Sequence, residues 1–504
     1  MLRGQIRYRS PDRKFDADLL IERQDETMPG IMAQVVLPKG TAGSPNGLSS
    51  PRYSYAWNIS GNPAMGVKAT DTILTMNYDF GWATWSSTTG LRFRDGFSYN
   101  DNSLPVPGTD QNVDQYVVDQ TNNYYEETHF AGQWGNLNWL AGGDYLYVPT
   151  RETANVTRTP TPTNPSTGST QLNHQRWTSA AIFGLLDYSF TSQLDLDMEG
   201  RYTWDDKTLT SHTDSDLTGQ PVASPAPYSG KTSPQNFSYD VTLSYKPDDG
   251  YLVYAKVGRG YRVGGFNATL GDPRQPIPIP PTYGDETTQD YEIGTKDTLT
   301  SWLYGTLAAY YNKVNGVLTQ DNNGCALNNP VCPVQQTNFV VNAGTAFEYG
   351  IESELDGHHD LLGGMLNLNL NSSYMEGQFS SGNYDGLTVP QMPKWEFGGT
   401  ARYDHPITDK VSAFGSVNFS GQWKGRQDVS AYSGTVNGVP YKNFYEPLAN
   451  EGVFDLRAGV DYGNLEFAVY ANNAFDDQYV YVRTPTTFRW GGRDSWGVEL
   501  HYKW

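Results

Sequence analysis

The chain ends on Arg493-Asp494-Ser495-Trp496-Gly497-Val498-Glu499-Leu500-His501-Tyr502-Lys503-Trp504. A strand turns successive side chains to opposite faces, so Trp496, Val498, Leu500, Tyr502 and Trp504 share one face while Ser495, Gly497, Glu499, His501 and Lys503 share the other. One face is oily and the other wet. A strand of a soluble sandwich shows the same alternation, but this one stops on an aromatic residue, with no polar tail to shield an edge that would otherwise pair with another chain. Closing the sheet into a barrel removes that edge.

Composition is compatible with a barrel that crosses a membrane. Of 504 residues 37% are hydrophobic and the mean hydropathy is -0.58; no run approaches the roughly 18 apolar residues a spanning helix needs. A spanning barrel has no such requirement, because only alternate residues of each strand meet lipid. The 35 Tyr and 13 Trp suit aromatic girdles at two interfaces, and a carbohydrate-binding surface is the other reading of so many tyrosines. A net charge of -20 argues against nucleic acid. Acidic loops facing a divalent-rich exterior explain it better than cation capture. Cys325 and Cys332 have no His or third Cys beside them, so a disulfide across a loop in an oxidising compartment is expected. Met1-Leu2-Arg3-Gly4-Gln5 runs straight into strand-like sequence without a signal peptide, so a leader is expected to have been removed or the chain to begin inside a longer protein.

Loop length sorts by parity. Expected strands 2–9 and 15–24, 71–80 and 82–94, 122–133 and 137–148, 173–190 and 193–206, 237–246 and 251–259 are joined by short turns such as Gly135-Asn136 and Pro247-Asp248-Asp249-Gly250. The pattern repeats at 285–296 and 302–319, 338–355 and 365–378, 395–403 and 411–422, 453–462 and 465–471. Between these hairpins lie long polar loops near 25–70, 95–121, 150–172, 207–236, 260–284, 320–337, 379–394, 423–452 and 473–492. Tight turns on one side and large loops on the other are the asymmetry of outer-membrane barrels. Within Leu194-Asp195-Leu196-Asp197-Met198-Glu199 and Leu366-Asn367-Leu368-Asn369-Leu370-Asn371 the apolar residues are assigned to lipid and the polar ones to the lumen. The count is about 19 strands, all β and antiparallel. An odd count makes the first and last strands run the same way, so the start of the barrel is expected to be missing.

These residues resemble the barrel domain of TonB-dependent outer-membrane receptors of the siderophore and iron-complex type. The resemblance rests on Arg3-Gly4-Gln5, Trp139-Leu140-Ala141-Gly142-Gly143, Ala181-Ile182-Phe183-Gly184, and Gly258-Arg259-Gly260-Tyr261-Arg262-Val263-Gly264-Gly265-Phe266-Asn267. It continues through Glu286, Tyr291-Glu292-Ile293-Gly294-Thr295-Lys296, Asn342-Ala343-Gly344 with Gly350-Ile351-Glu352, Pro393-Lys394-Trp395, and Ala471-Asn472-Asn473-Ala474-Phe475-Asp476-Asp477-Gln478-Tyr479, in family order. Ala474 stands where the family pattern has Leu. The resemblance implies a barrel of 22 strands entered at about the fourth, one domain over 1–504 without its plug, and a TonB-binding segment outside this chain. It also implies the outer membrane of a Gram-negative bacterium, with lipid and the barrel assembly machinery as partners. That machinery would read the Trp496, Val498, Leu500, Tyr502 and Trp504 face as its signal.

Function is therefore expected to be uptake of a large scarce solute, such as a ferric siderophore or another iron complex, or an oligosaccharide. A plug-less passive porin or structural barrel is the alternative, and a soluble carbohydrate-binding protein a third. No nucleophile elbow, phosphate loop or zinc motif is present, so neither an enzyme nor a cofactor is expected. Arg259 and Arg262, flanking Tyr261, are candidates for contacting an anionic ligand; neutralising acidic neighbours is the plainer role for the arginines. Trp57 and Tyr432 are candidate stacking residues in outer loops. His358-His359 is assigned to a solvated turn, and the pairs Asp205-Asp206 and Asp476-Asp477 to strand-end charges.

Overall fold

A computed structural model describes residues 1–29, 34–35, 64–101, 113–158, 168–215, 227–267, 280–322, 338–382, 384–389, 392–423, 435–436, 439–440, 450–483, 487–490 and 492–502. Trp57, Tyr432, Cys325, Cys332 and Trp504 lie outside these residues, so the stacking candidates, the disulfide and the last aromatic of the closing strand are not placed. The wall begins with β1 (Leu2–Arg9), β2 (Phe15–Pro29), β3 (Ala64–Asp79), β4 (Ala83–Asp101), β5 (Val113–Trp134) and β6 (Leu137–Arg158). It continues with β7 (Gly168–Ser189), β8 (Leu194–Ser215), β9 (Gln235–Asp248), β10 (Tyr251–Arg262), β11 (Glu286–Thr300), β12 (Leu303–Asn315) and β13 (Thr345–Leu361). It ends with β14 (Gly364–Phe379), β15 (Trp395–Thr408), β16 (Val411–Trp423), β17 (Glu451–Tyr462), β18 (Leu465–Asn472) and β19 (Ser495–Tyr502). Each strand pairs antiparallel with its neighbours in chain order, and Tyr228–Thr232 continues β9 upward along β8 in the same register. The expected nineteen strands are present.

Directly opposed residues in an antiparallel pair share a face, so the register traces rows around the wall. One row runs Trp134, Leu137, Tyr188, Leu196, Leu243, Ala255, Ile293, Ala309, Ile351, Tyr374, Trp395, Trp423. Every member is apolar or aromatic. The row one residue away runs Gln133, Asn138, Asp187, Asp197, Thr242, Lys256, Glu292, Tyr310, and is polar throughout. The apolar row starts at the short-turn end of β5 and finishes at the long-loop end of β16, which is the climb produced by tilted strands in a barrel. Its face is the lipid face, and the polar face lines the lumen.

Two aromatic belts bound the lipid face. Phe80, Trp82, Phe130 and Trp139 associate at the short-turn end with ring centroids 6.3–6.4 Å apart. Nearer the loops stand Phe93 with Tyr124, Tyr202 with Trp204, Tyr291 with Tyr311, and Tyr374 with Trp395. From Trp82 to Phe93 the two belts lie eleven residues apart and from Phe130 to Tyr124 six, against the roughly 9–11 residues needed to cross a bilayer.

The two ends of the sheet approach each other on the loop side. Gln34–Val35, following β2, pairs with Thr487 and Phe488, preceding β19. This pairing joins the chain just after β2 to the chain just before β19. Among the described residues β1 pairs only with β2, and β19 only with β18.

Three expectations need correction. Strands β4 to β8 reach far into the stretches assigned to loops: β5 starts at Val113 and β8 ends at Ser215. Beyond the bilayer both faces are wet, so Thr208-Leu209-Thr210-Ser211-His212 loses the apolar alternation while keeping its β-branched pairing. His358 and His359 are not turn residues. They pair with Asn367 and Leu366, because Leu362 (φ 50°) and Gly363 (φ 80°) complete the reversal in two residues. Finally, the strands expected at 302–319 and 338–355 each break. Gly316 and Gly344 take positive φ, and Leu318–Asn322 pairs with Asn338–Asn342 as a separate outer hairpin. Ala343, Ala346, Phe379 and Tyr384 form a small buried core beneath it.

Candidate functional site

The lumen face of β5 to β8, from bilayer depth to above the loop-side aromatic belt, carries a continuous polar network. Alternation places Tyr125 and Glu127 of β5, Asp144 of β6 and Arg201 of β8 on that face. The Tyr125 hydroxyl donates to Glu127 at 2.5 Å. Arg201 reaches across β7 to Asp144, its two terminal nitrogens donating to the two carboxylate oxygens at 2.5 and 3.0 Å. Ala181, which pairs with Asp144, leaves room for that reach, and Phe183 lies 5.8 Å from the guanidinium. A bidentate pair fixes both strands in one geometry as a lysine could not.

Higher on β8, Asp205 is 4% exposed and accepts from the Trp177 indole N–H at 2.8 Å and the Tyr261 hydroxyl at 3.0 Å. It is therefore a buried acceptor inside a strand rather than a strand-end charge, because β8 continues ten residues beyond it. Lys207 stands over the Trp177 ring and donates to the Gly264 carbonyl at 3.0 Å. Asp285 accepts from the Gly264 N–H at 2.7 Å and from Asn236 at 2.6 Å. Asn267 bonds both the carbonyl and the N–H of Val340. Gly264 has no space for a side chain: a Cβ would sit 2.4 Å from the Tyr283 carbonyl oxygen.

The glycine-rich segment singled out in the sequence is thus fastened to β8, β11 and the outer hairpin. Arg262 pairs with Glu286 at 3.0 Å and also donates to the Leu318 carbonyl, while Arg259 donates to the Phe237 carbonyl. Tyr261 is spent on Asp205. Arg262 still borders a cavity of about 250 Å³ with Glu286, Phe347 and Phe379. A larger cavity of about 610 Å³ opens at the short-turn mouth, where Trp302, Asp356, His358, Asn369 and Arg402 converge. No three His, Cys, Asp or Glu residues among the described ones are arranged to hold a metal ion.

The short motif after β18 has a local cause. Asn473 takes φ 45°; its N–H donates to Asp455 and its side chain bonds both the N–H and the carbonyl of Asp477. Asp477 in turn accepts from the Gly452 N–H.

Residues 7–474 match the family model described as TonB dependent receptor-like, beta-barrel. The chain belongs to that family. Its fold is shared with the ferric yersiniabactin uptake receptor FyuA from Yersinia pestis at a TM-score of 0.71 and 16% identity, over 99% of this chain and 70% of that one. The siderophore receptor PiuA from Acinetobacter baumannii aligns at 0.68 and 15% identity, over 100% of this chain and 74% of the other. BauA, the ferric preacinetobactin receptor from the same species, aligns at 0.65 and 13%, over 99% and 71%.

Proposed function

We propose that the protein forms the outer-membrane wall of a TonB-dependent receptor that takes up a large scarce solute, with ferric siderophores as the leading class. It would act as a transporter and not as an enzyme. The observation that carries this reading is the width of the wall. Nineteen strands, closed into a barrel, would surround a lumen too wide for side chains to fill, and the face assigned to it is polar. A lumen at least as wide as that of a porin of about 16–18 strands would pass large solutes unless it is gated. The family match and the siderophore receptors that share the fold support this choice of cargo. In this reading Arg262, in the lumen-side row with Glu286, is the candidate contact for an anionic complex, whereas Arg259 shares the outward row of Tyr239 and Tyr261 is bonded to Asp205; Trp57 and Tyr432 remain stacking candidates.

Uptake of radiolabelled iron complexes by cells producing the protein tests the reading. Accumulation should stop when the proton-motive force is dissipated or TonB is removed. Accumulation indifferent to both would mark a passive pore.

A further inference from the structure

The two faces of the wall hold their cations differently. Toward the lumen, Arg92, Arg94, Arg201, Arg262, Arg402 and Arg457 are each ion-paired. Away from the lumen, the strands turn Arg23, Lys68, Arg151, Arg176, Arg259 and Lys313, and all of them stand at the loop-side belt or above it. Arg23 donates to Thr70, Lys68 pairs with Asp25, and Arg259 donates to the Phe237 carbonyl. Among the described residues the side chains of Arg151, Arg176 and Lys313 have neither a hydrogen bond nor an ion pair. In a chain of net charge -20, acidic partners are not scarce.

Only Arg151 and Arg176 are neighbours. Arg151 pairs with His174 and Arg176 with Pro149, so the two arginines are diagonal on one face, roughly 7–8 Å apart. Both are exposed, as is His174. The outward carboxylates of the flanking strands are occupied: Asp206 accepts from Lys231 and Ser233, and Asp95 from Gln120. Two unanswered guanidiniums side by side repel, and a shared anion reverses the sign. Phosphate oxygens match the planar guanidinium fork. A phosphate monoester carries close to two negative charges at neutral pH and answers both arginines, whereas a diester carries one.

Height and direction name the source of that phosphate. Tyr147, in the belt with Tyr124, lies two residues below Pro149 and four below Arg151 on β6. At about 3.3 Å per residue on a strand tilted by about 40°, the two arginine backbones stand roughly 5 and 10 Å above the belt. That is the level of a headgroup layer roughly 5–8 Å deep. Below them β7 turns Ala180, Ile182 and Leu186 to lipid, with Ile182 59% exposed. Cargo in the lumen would meet the opposite face.

We propose that Arg151 and Arg176, with His174 beside them, bind a lipid of the loop-side leaflet whose headgroup carries a phosphate monoester. Its acyl chains would lie over Ala180, Ile182 and Leu186, and the bound lipid would brace the tall strands where they leave the bilayer.

The purified barrel in detergent is titrated with lipid A, a glycolipid bearing phosphate monoesters, with its dephosphorylated form and with the diester phosphatidylglycerol, and retained lipid is read by native mass spectrometry. Retention of lipid A should exceed that of either other lipid about tenfold. Arg151→Gln with Arg176→Gln should bring both ratios near one, while Lys296→Gln on the lumen face should leave them unchanged. Should the double variant fail to assemble, R176Q alone must lower the ratios. Retention should persist in EDTA, because arginines and not a bridging cation hold the phosphate; loss in EDTA would contradict that contact. Excess inorganic phosphate should leave the lipid in place, and displacement would reassign the site to a free anion. Ratios near one for the unaltered chain, or preserved in the double variant, overturn the proposal.

Discussion

Two sectors of one wall cross the same bilayer by different means. Strands β5 to β8 are 22 residues each, so about half of every strand stands beyond the loop-side belt. Strands β15 to β19 have 8 to 14 residues and end near the belt. The tall sector cannot rely on lipid to hold its upper half, and there it is bound by buried polar contacts: Trp177 and Tyr261 on Asp205, Lys207 on Gly264. On the lumen face of the low sector one buried ring lies beside two guanidiniums. Phe414, 5% exposed, lies 4.0 Å from the Arg402 guanidinium and 5.1 Å from that of Arg457. Those arginines also pair with Asp404, Glu466 and Glu499. Buried polar contacts hold the tall sector above the belt, and in the low sector ion pairs gather around one stacked ring.

The largest effect should come from Phe414→Ala, which removes the ring between the two guanidiniums. Loss of about 3–5 kcal/mol is expected from urea unfolding in detergent micelles. Amide exchange should rise in β15 to β18 and stay slow in β5 to β8; a uniform rise would erase the distinction between sectors. Next comes Asp205→Ala, which leaves two part-buried donors without their acceptor and should cost about 1–3 kcal/mol in all. Exchange should quicken across Tyr261–Asn267 while the low sector is unaffected. Arg201→Lys, which keeps the charge but loses the bidentate grip on Asp144, should cost about 1 kcal/mol, given a half-exposed guanidinium.

The smallest effect lies at the first short turn. The Ser10 hydroxyl and the Lys14 N–H, donating to Asp12, hold its carboxyl below the usual range. A depressed folded value contributes stability above the unfolded value of about 3.9 and loses it as pH falls through the folded one. Protection of the Lys14 amide, which donates to Asp12, should therefore weaken on acidification below about pH 4, and Ser10→Ala should move that weakening to higher pH.

How much of this was legible in the sequence follows from where water is. Inside the bilayer one face is oily, so Leu194 to Glu199 declares its register, and two-residue turns such as Gly463-Asn464 declare the hairpins. Above the belt that contrast disappears, and strand ends in β5 to β8 could not be placed. The site was legible only as composition. Arg259 to Asn267 announced backbone constraint through its glycines, but the partners of that segment, Lys207 and Val340, are 57 and 73 residues away from the atoms they bond.

The measurement that bears most directly on the account is a label scan of β8. Single cysteines at positions 195 to 198, on a Cys325→Ser and Cys332→Ser background, would carry a fluorophore in the barrel reconstituted into bilayers. The account predicts that labels at Leu196 and Met198 are quenched by lipid-borne nitroxide and shielded from aqueous iodide, with Asp195 and Asp197 showing the reverse. Four positions quenched alike by iodide would contradict a lipid-facing wall.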